Sequence, residues 1–151
     1  MFEKHTDVEG RLLQFRAVRK SSLTEDEVLD SFGKIKIQSR YIDYWTPNDW
    51  MNPFEIIEHG YFCTTGISIL LYHTLANLNY LDPASVEWKV ISNHVTGKDG
   101  GIFFYDGYAY NLAPGKKVKI DAKEELFLTL KEHKNLYIPV IWHWHPKYSV
   151  L

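Results

Sequence analysis

Cysteine is nearly absent from this chain of 151 residues, since Cys63 is the only one. A single thiol cannot form an internal disulfide, so the sequence shows no sign of an oxidising compartment. Long apolar runs are also missing, because the run Ile69–Tyr72 is far shorter than the roughly 20 residues that span a bilayer. The first ten residues lack the apolar stretch of a secretory signal. These absences predict a cytoplasmic protein with no membrane partner.

An excess of one charge sign is missing as well. The formal net charge is -2, with 17 basic and 19 acidic residues, which leaves no basic surface for nucleic acid. Hydrophobic residues make up 45% of the chain and charged residues 24%, as in an ordinary globular protein. The length predicts a single domain over residues 1–151, with residues 1–40 as an N-terminal extension of it.

Three elements are predicted before residue 40. Leu12–Val18 is predicted to be a strand, with a helix as the alternative. Ser22 and Thr24 precede Glu25 and Glu27 at capping-box spacing, which predicts a short helix to about Phe32 that Gly33 ends. Lys34–Gln38 alternates apolar and polar residues, which predicts a half-buried strand.

A short helix is predicted before the cysteine. Asn52, Pro53 and Glu55 supply an N-cap acceptor, a proline at the first helical position and an acid at the third. Gly60 should end this helix.

A second helix is predicted to begin near Cys63. Gly66 within it costs roughly 1 kcal/mol relative to alanine, a cost that is tolerable if another backbone packs close at that point. Its apolar residues recur at helical spacing and predict one buried stripe: Ile67, Leu70, Leu71, Leu75 and Leu78.

A β-meander is predicted after that helix. Val86–Val95 alternates and forms its first strand, and Gly97–Gly101 forms a turn. Ile102–Tyr105 is a compact apolar strand. Asp106–Gly107 is a strong hairpin signal, which pairs this strand with Tyr108–Leu112.

The remaining chain is predicted to contain one helix and one strand. Asp121 and Glu124 stand at capping-box spacing, which predicts a helix to about Lys134. Leu136–His145 is predicted to be a final strand, in which Pro139 favours an edge position or a displaced start.

A thiol at a helix N-terminus is placed to react as a nucleophile. Unpaired backbone N–H groups and the positive end of the helix dipole favour the thiolate, which is the nucleophilic form. A histidine on a neighbouring strand can accept the thiol proton, and an Asn or Asp can orient that histidine.

The order of motifs around the cysteine resembles a known family. Asp43, Trp45 and the proline that follows, then Gly60 and Cys63, resemble the segment before the catalytic cysteine of bacterial transglutaminase-like cysteine proteinases. The hairpin sequence IFFYDGYAYNLAP resembles the meander of the wider transglutaminase-like group. The resemblance spans residues 43–114. It implies an α+β fold with a papain/transglutaminase-like core, in which a helix headed by cysteine packs on an antiparallel β-meander.

The same resemblance implies where acid–base partners of Cys63 should stand. The family histidine opens the second meander strand, which falls here near Asp99 or Gly100. The family aspartate falls near Tyr110 or Ala113. This sequence has no histidine at the first of these positions and no aspartate at the second.

Two interpretations of this departure stay open. His94 and Asn111 stand close to the family spacing, so Cys63, His94 and Asn111 would form a papain-like arrangement in which an amide orients the imidazole. In the other interpretation the catalytic machinery is degenerate and the fold serves binding.

Aromatic residues beside the cysteine are the candidate substrate contacts. Trp45, Trp50 and Tyr61 are predicted to bind substrate, and Tyr41 and Tyr44 could also wall a cleft, with packing of the loop as the alternative role. His143 and His145 lie two apart, but no third ligand stands at a recognisable spacing. No metal site and no cofactor is therefore predicted.

The sequence thus predicts a thiol hydrolase or acyltransferase that acts on an amide or peptide bond through Cys63 with His94. The alternative is a catalytically degenerate fold that acts as a protein-binding inhibitor or adaptor. Both hypotheses give the chain a protein or peptide as its substrate or partner.

Overall fold

A computed structural model describes residues 1–2, 7–121 and 126–140. Over these ranges, four α-helices precede a five-stranded sheet, which is the predicted α+β class. The helices are α1 Val8–Arg19, α2 Glu25–Gly33, α3 Pro53–His59 and α4 Thr64–Asn77, with 3-10 turns at Pro47–Asp49 and Pro83–Ser85. The strands are β1 Glu87–Asn93, β2 Asp99–Tyr105, β3 Tyr108–Ala113, β4 Lys116–Lys119 and β5 Phe127–His133. None of the described helices has the length and apolar character needed to cross a membrane.

The sheet is antiparallel throughout and has the order β4-β3-β2-β1-β5. The predicted hairpin between β2 and β3 is confirmed, since Asp106 and Gly107 have φ values of 51° and 80°. Helix α4 packs on one face of the sheet. The Tyr72 ring lies 5.5 Å from that of Trp88 on β1 and 5.9 Å from that of Phe103 on β2. The helix that Cys63 begins is thus packed against strands β1 and β2 of the meander.

The caps predicted for α2 and α3 are confirmed. The Thr24 hydroxyl accepts from the Glu27 N–H at 3.2 Å, and the Asn52 side chain accepts from the Glu55 N–H at 2.9 Å. Gly60 follows α3 in the left-handed region with φ 71°, as expected of a helix C-terminus. These local signals set where α2 and α3 begin and where α3 ends.

Gly66 allows close packing at the start of α4. A Cβ built on Gly66 would overlap the backbone carbonyl oxygen of Tyr61, so the chain that leads from α3 lies directly against the first turn of α4. The condition under which a glycine is tolerable inside this helix is therefore met.

The strand predicted at Leu12–Val18 is wrong, because the segment is part of α1. The side chain of Asp7 accepts from the Gly10 N–H at 2.7 Å and caps this helix. Leu12, Phe15 and Arg19 are buried at spacings of a helical face.

The strand predicted at Lys34–Gln38 is also wrong, because these residues lie outside every helix and strand of the structure. Ile35 is buried, whereas Ile37 is 39% exposed. The Gln38 N–H donates to the Phe62 carbonyl at 2.9 Å. The segment is thus linked by a hydrogen bond to the chain before α4 and does not pair as a strand.

The helix predicted from Asp121 to Lys134 is wrong, because Phe127–His133 forms β5. This strand pairs with β1, with Trp88 opposite His133 and Asn93 opposite Phe127. Pairing satisfies the N–H and C=O groups of β1 that would otherwise form an open sheet edge. Glu124, the predicted capping partner of Asp121, lies outside the described residues.

The strand predicted at Leu136–His145 is wrong over residues 136–140, which have no regular secondary structure. Its remainder lies outside the described residues. The carbonyl of Ile138 instead accepts a hydrogen bond from the Tyr72 hydroxyl at 2.6 Å. The segment therefore binds the buried helix rather than the sheet.

The close approach at Gly66 predicts a large stability cost for Gly66→Ala. The added methyl group overlaps backbone that cannot move without shifting α4, so the free energy of unfolding should fall by about 3 kcal/mol. Urea denaturation of both proteins measures this difference. Gly60→Ala is the matched control, because a Cβ there meets no atom within 4 Å and only the positive φ costs about 1 kcal/mol. Equal losses in the two variants would contradict the packing argument.

A buried histidine on α4 makes stability sensitive to acid. His73 is 1% exposed. Burial, and secondarily the nearby Arg19 cation, lower the pKa of His73 from 6.5 to about 3. Below pH 6.5 the imidazole of His73 is therefore protonated in the unfolded chain but not in the folded protein. The free energy of unfolding falls as the pH falls from 6.5 towards 3.

Replacement of His73 tests this linkage. In the wild-type protein, His73 should lower the free energy of unfolding by about 1 kcal/mol for each pH unit below 6.5, the ordinary pKa of histidine. His73→Gln, which does not titrate, should lose that part of the slope, whatever its stability at neutral pH. Urea denaturation at pH 7 and pH 5 measures the slope, and His59→Gln, at an exposed site, should leave it unchanged. A wild-type slope in His73→Gln would refute the assignment.

Candidate active site

Cys63 is the N-cap residue of α4. Its sulfur accepts hydrogen bonds from two backbone N–H groups, those of Gly66 and Ile42, each at 3.4 Å. One donor belongs to the first turn of the helix and the other to a distant loop. Two backbone donors thus hold the sulfur between the helix and the loop.

The loop that supplies the Ile42 N–H is held in place by Asp43. The Asp43 carboxylate accepts from the Trp45 N–H at 2.9 Å and from the Thr46 hydroxyl at 3.0 Å. The Asp43 carbonyl accepts from the indole N–H of Trp50 at 2.9 Å. The motif that precedes the cysteine in the sequence is therefore a turn that fixes one of the two donors to sulfur.

An open cleft of ≈ 410 Å³ lies at the sulfur and is named here the Cys63 cleft. Cys63 is only 3% exposed, yet it contributes to the wall of this cleft. The described residues that line it come from the Ile37–Tyr44 loop, the start of α4, the β1–β2 turn and the first residue of β2: Ile37, Tyr41, Tyr44, Cys63, Thr64, Thr65, Gly97, Lys98 and Asp99.

The phenol of Tyr44 stays protonated in this cleft. Burial raises the pKa of Tyr44, and the carboxylates of Asp99 and Asp43 raise it further. The Tyr44 hydroxyl is therefore a hydrogen-bond donor within a cleft that also contains a carboxylate and the Lys98 ammonium. A polar group that enters the cleft meets both donors and acceptors.

His94 lies directly after β1, at the start of the β1–β2 turn, and its side chain is exposed. Its backbone N–H donates to the Leu126 carbonyl at 2.9 Å. His94 is not one of the described residues that line the Cys63 cleft, although Gly97, Lys98 and Asp99 of the same turn are.

Asn111 lies beneath the first turn of α4. Its side-chain N–H₂ donates to the Thr64 carbonyl at 3.1 Å and to the Ser68 hydroxyl at 3.0 Å. The residue has φ 69°, in the left-handed region that asparagine tolerates. Its amide therefore ties β3 to α4.

Of the two positions where the family resemblance places the catalytic histidine, Asp99 lines the Cys63 cleft and Gly100 has no side chain. A Cβ built on Gly100 would lie 3.0 Å from the Thr64 Cβ and 3.1 Å from its methyl carbon. The next N–H, that of Gly101, donates to the Thr65 hydroxyl at 2.9 Å. The two threonines after Cys63 thus occupy the space in front of these glycines.

The three aromatic residues predicted to bind substrate line other parts of the structure. The Trp50 ring packs edge-on against Trp88 at 5.2 Å and against His133 at 5.7 Å. Tyr61 packs against the Arg40 guanidinium at 4.6 Å. Trp45 is 45% exposed and contacts the Tyr44 ring at 5.4 Å. Substrate contact by these residues stays a prediction.

Lys98, Asp99 and Thr65 are cleft residues that sequence reasoning missed. Lys98 and Asp99 fall in the segment Gly97–Gly101 that was predicted only as a turn, although β2 begins at Asp99. The one available signal was the alignment of Asp99 or Gly100 with the family histidine, which places this point of the meander opposite the cysteine.

No three His, Cys, Asp or Glu side chains in the part of the chain that the structure describes are grouped to hold a metal ion. His143 and His145 lie outside that part.

Comparison with known proteins identifies the fold. The chain matches no protein-family model and no curated protein. Among solved structures it is similar to calcium-bound LapG of Legionella pneumophila, with a TM-score of 0.57 and 15% identity over 84% of this chain and 72% of that one. Two further LapG structures, one of them EGTA-treated, have TM-scores of 0.54 and 16% identity, and each similarity covers 80% of this chain.

LapG is a transglutaminase-like cysteine protease, and at these identities the likeness concerns the fold alone. A cysteine-headed helix packed on an antiparallel meander, as described above, is the arrangement that the sequence resemblance implies. This chain therefore has a distant transglutaminase-like fold.

Proposed function

We propose that this protein is a thiol hydrolase or acyltransferase that acts on an amide or peptide bond through Cys63, with His94 as the proton acceptor. The observation that carries the proposal is the sulfur geometry. The thiol heads α4, accepts from the N–H groups of Gly66 and Ile42, and borders an open cleft. A cysteine that served packing alone would need neither the two donors nor the opening.

The reaction follows from this placement. The Cys63 sulfur attacks the amide carbonyl, and its proton passes to the His94 imidazole. The carbonyl oxygen gains negative charge, which free N–H groups at the helix start stabilise. The C–N bond then breaks, His94 returns the proton to the leaving amine, and a thioester remains on Cys63. Water or a second amine takes the acyl group and restores the thiol.

His94 reaches the sulfur in this proposal from the β1–β2 turn. Gly97, Lys98 and Asp99 of that turn already border the cleft, and His94 lies three residues before Gly97 at the end of β1. The imidazole therefore needs a shift of this turn towards α4. A peptide or protein in the cleft contacts the same turn, and we propose such a molecule as the substrate of a cytoplasmic enzyme.

A second candidate function is non-catalytic protein binding, as an inhibitor or adaptor on the same fold. It is favoured by the absence of a histidine at both positions that the resemblance assigns to it, since Asp99 stands at one and Gly100, in contact with Thr64, at the other. The cleft would then bind a partner through Tyr41, Tyr44 and Lys98 without forming a thioester.

The reactivity of Cys63 towards iodoacetamide separates the two functions. We expect the folded protein at neutral pH to be alkylated about tenfold faster than free cysteine or faster, because the two N–H donors stabilise the thiolate. Mass spectrometry of the intact chain measures the rate, since Cys63 is the only thiol. Protein unfolded in urea is the control and should react like free cysteine. A folded protein that reacts no faster than free cysteine would sink the enzymatic proposal and leave the binding function.

The role of His94 predicts a slower reaction in His94→Ala. If the imidazole takes the thiol proton, the alkylation rate of Cys63 at neutral pH should fall about tenfold. His59→Ala is the matched control, because His59 is an exposed histidine on α3. Equal rates in wild type and His94→Ala would rule out His94 as the acceptor while leaving Cys63 as the nucleophile.

A further inference from the structure

A second cavity adjoins the Cys63 cleft and is named here the apolar pocket. Its volume is ≈ 100 Å³. Buried apolar side chains from α2, the following loop, α4, β1 and β3 form most of its wall: Phe32, Ile35, Ile67, Ile91 and Leu112. A single water needs roughly 10–15 Å³ and an engineered apolar cavity of about 150 Å³ holds benzene, so a four-carbon group fits this space.

The apolar pocket and the Cys63 cleft share Ile37, Thr64 and Lys98. Thr64 follows Cys63 directly in the chain. A molecule whose carbonyl carbon lies at the sulfur can therefore extend past Thr64 into the apolar pocket.

The side-chain amides of the two asparagines that border the apolar pocket already have partners. The Asn93 amide nitrogen donates to the Leu112 carbonyl at 2.8 Å, and its oxygen accepts from the N–H groups of Val95 and Thr96. The Asn111 amide nitrogen donates to Thr64 and Ser68. An occupant of the pocket thus gains by burying carbon rather than by replacing hydrogen bonds.

We propose that the apolar pocket receives a side chain of leucine or valine size that lies next to the amide bond attacked by Cys63. The inference rests on the proposed thiol chemistry and adds a substrate class to it. Lys98, which borders both cavities, excludes a basic side chain by like-charge repulsion. The preferred substrate is thus an amide or peptide with a mid-sized aliphatic group beside the reacting carbonyl.

Three alkylating probes test the proposal on the intact protein: iodoacetamide, N-isobutyl iodoacetamide and N-aminoethyl iodoacetamide. Each rate at Cys63 is divided by the rate of the same probe with free cysteine, which removes differences in intrinsic reactivity. We expect the isobutyl probe to exceed iodoacetamide by about tenfold after this correction, because its carbons become buried. The aminoethyl probe should show no gain.

Thr96→Trp is the variant that fills the pocket. Thr96 is exposed and borders the apolar pocket but not the Cys63 cleft, so the indole should remove the isobutyl preference and leave the iodoacetamide rate unchanged. Ile37→Trp, at the junction of the two cavities, is the second filling variant. Leu130→Trp is its matched control, because Leu130 on β5 is 38% exposed against 39% for Ile37. The control should keep the preference.

The outcomes separate this inference from the proposed function. Fast alkylation of Cys63 by all three probes without an isobutyl preference would overturn the pocket assignment and leave the thiol chemistry intact. An isobutyl preference that survives in both filling variants would also overturn it. Alkylation by all probes at or below the free-cysteine rate would overturn the thiol chemistry, and the inference with it.

Discussion

The contact between the Tyr61 carbonyl and the first turn of α4 is the constraint on which the site depends. Because residue 66 has no side chain, the chain that leaves α3 lies against the helix it is about to enter. The same Gly66 donates its N–H to the Cys63 sulfur, and the Ile42 N–H completes the pair of donors. A side chain at position 66 would separate these segments and open the geometry around sulfur. Packing and thiol environment therefore have one structural cause.

The other side of the site is set by how the helix start meets β2. Thr64 and Thr65 contact Gly100 and Gly101, and the Gly101 N–H donates to the Thr65 hydroxyl. This contact brings α4 close to the sheet at the point where these two residues of β2 have no side chains. On the sheet side, the cleft is bordered by Gly97 and Lys98 of the β1–β2 turn and by Asp99, the first residue of β2. The fold thus keeps a cysteine at the head of α4, with the β1–β2 turn on the other side of its cleft.

Elements with local stop and start signals could be predicted from the sequence, whereas those defined by tertiary pairing could not. Capping boxes and the Asp106–Gly107 turn depend on neighbouring residues, so α2, α3 and the β2–β3 hairpin were predicted correctly. Phe127–His133 forms a strand because it pairs with β1, and no local sequence signal indicates that pairing.

The residues of the site differ in the same way in how far they could be predicted. Cys63 was predicted at a helix start from local pattern, but Lys98 and Asp99 enter its cleft through the register of the meander.

The choice of residue at the head of α4 argues for chemistry at the sulfur rather than for capping. Serine, threonine, aspartate and asparagine cap helices well because their oxygens accept short hydrogen bonds from the first turn. The chain uses such residues at α1, α2 and α3, where Asp7, Thr24 and Asn52 accept at 2.7–3.2 Å. At α4 it uses Cys63, whose sulfur is a weaker acceptor and accepts at 3.4 Å. A better cap of similar size, serine, would fit the same geometry. What serine would not supply is a group that ionises readily and attacks a carbonyl, and this difference connects the capping position to the proposed reaction.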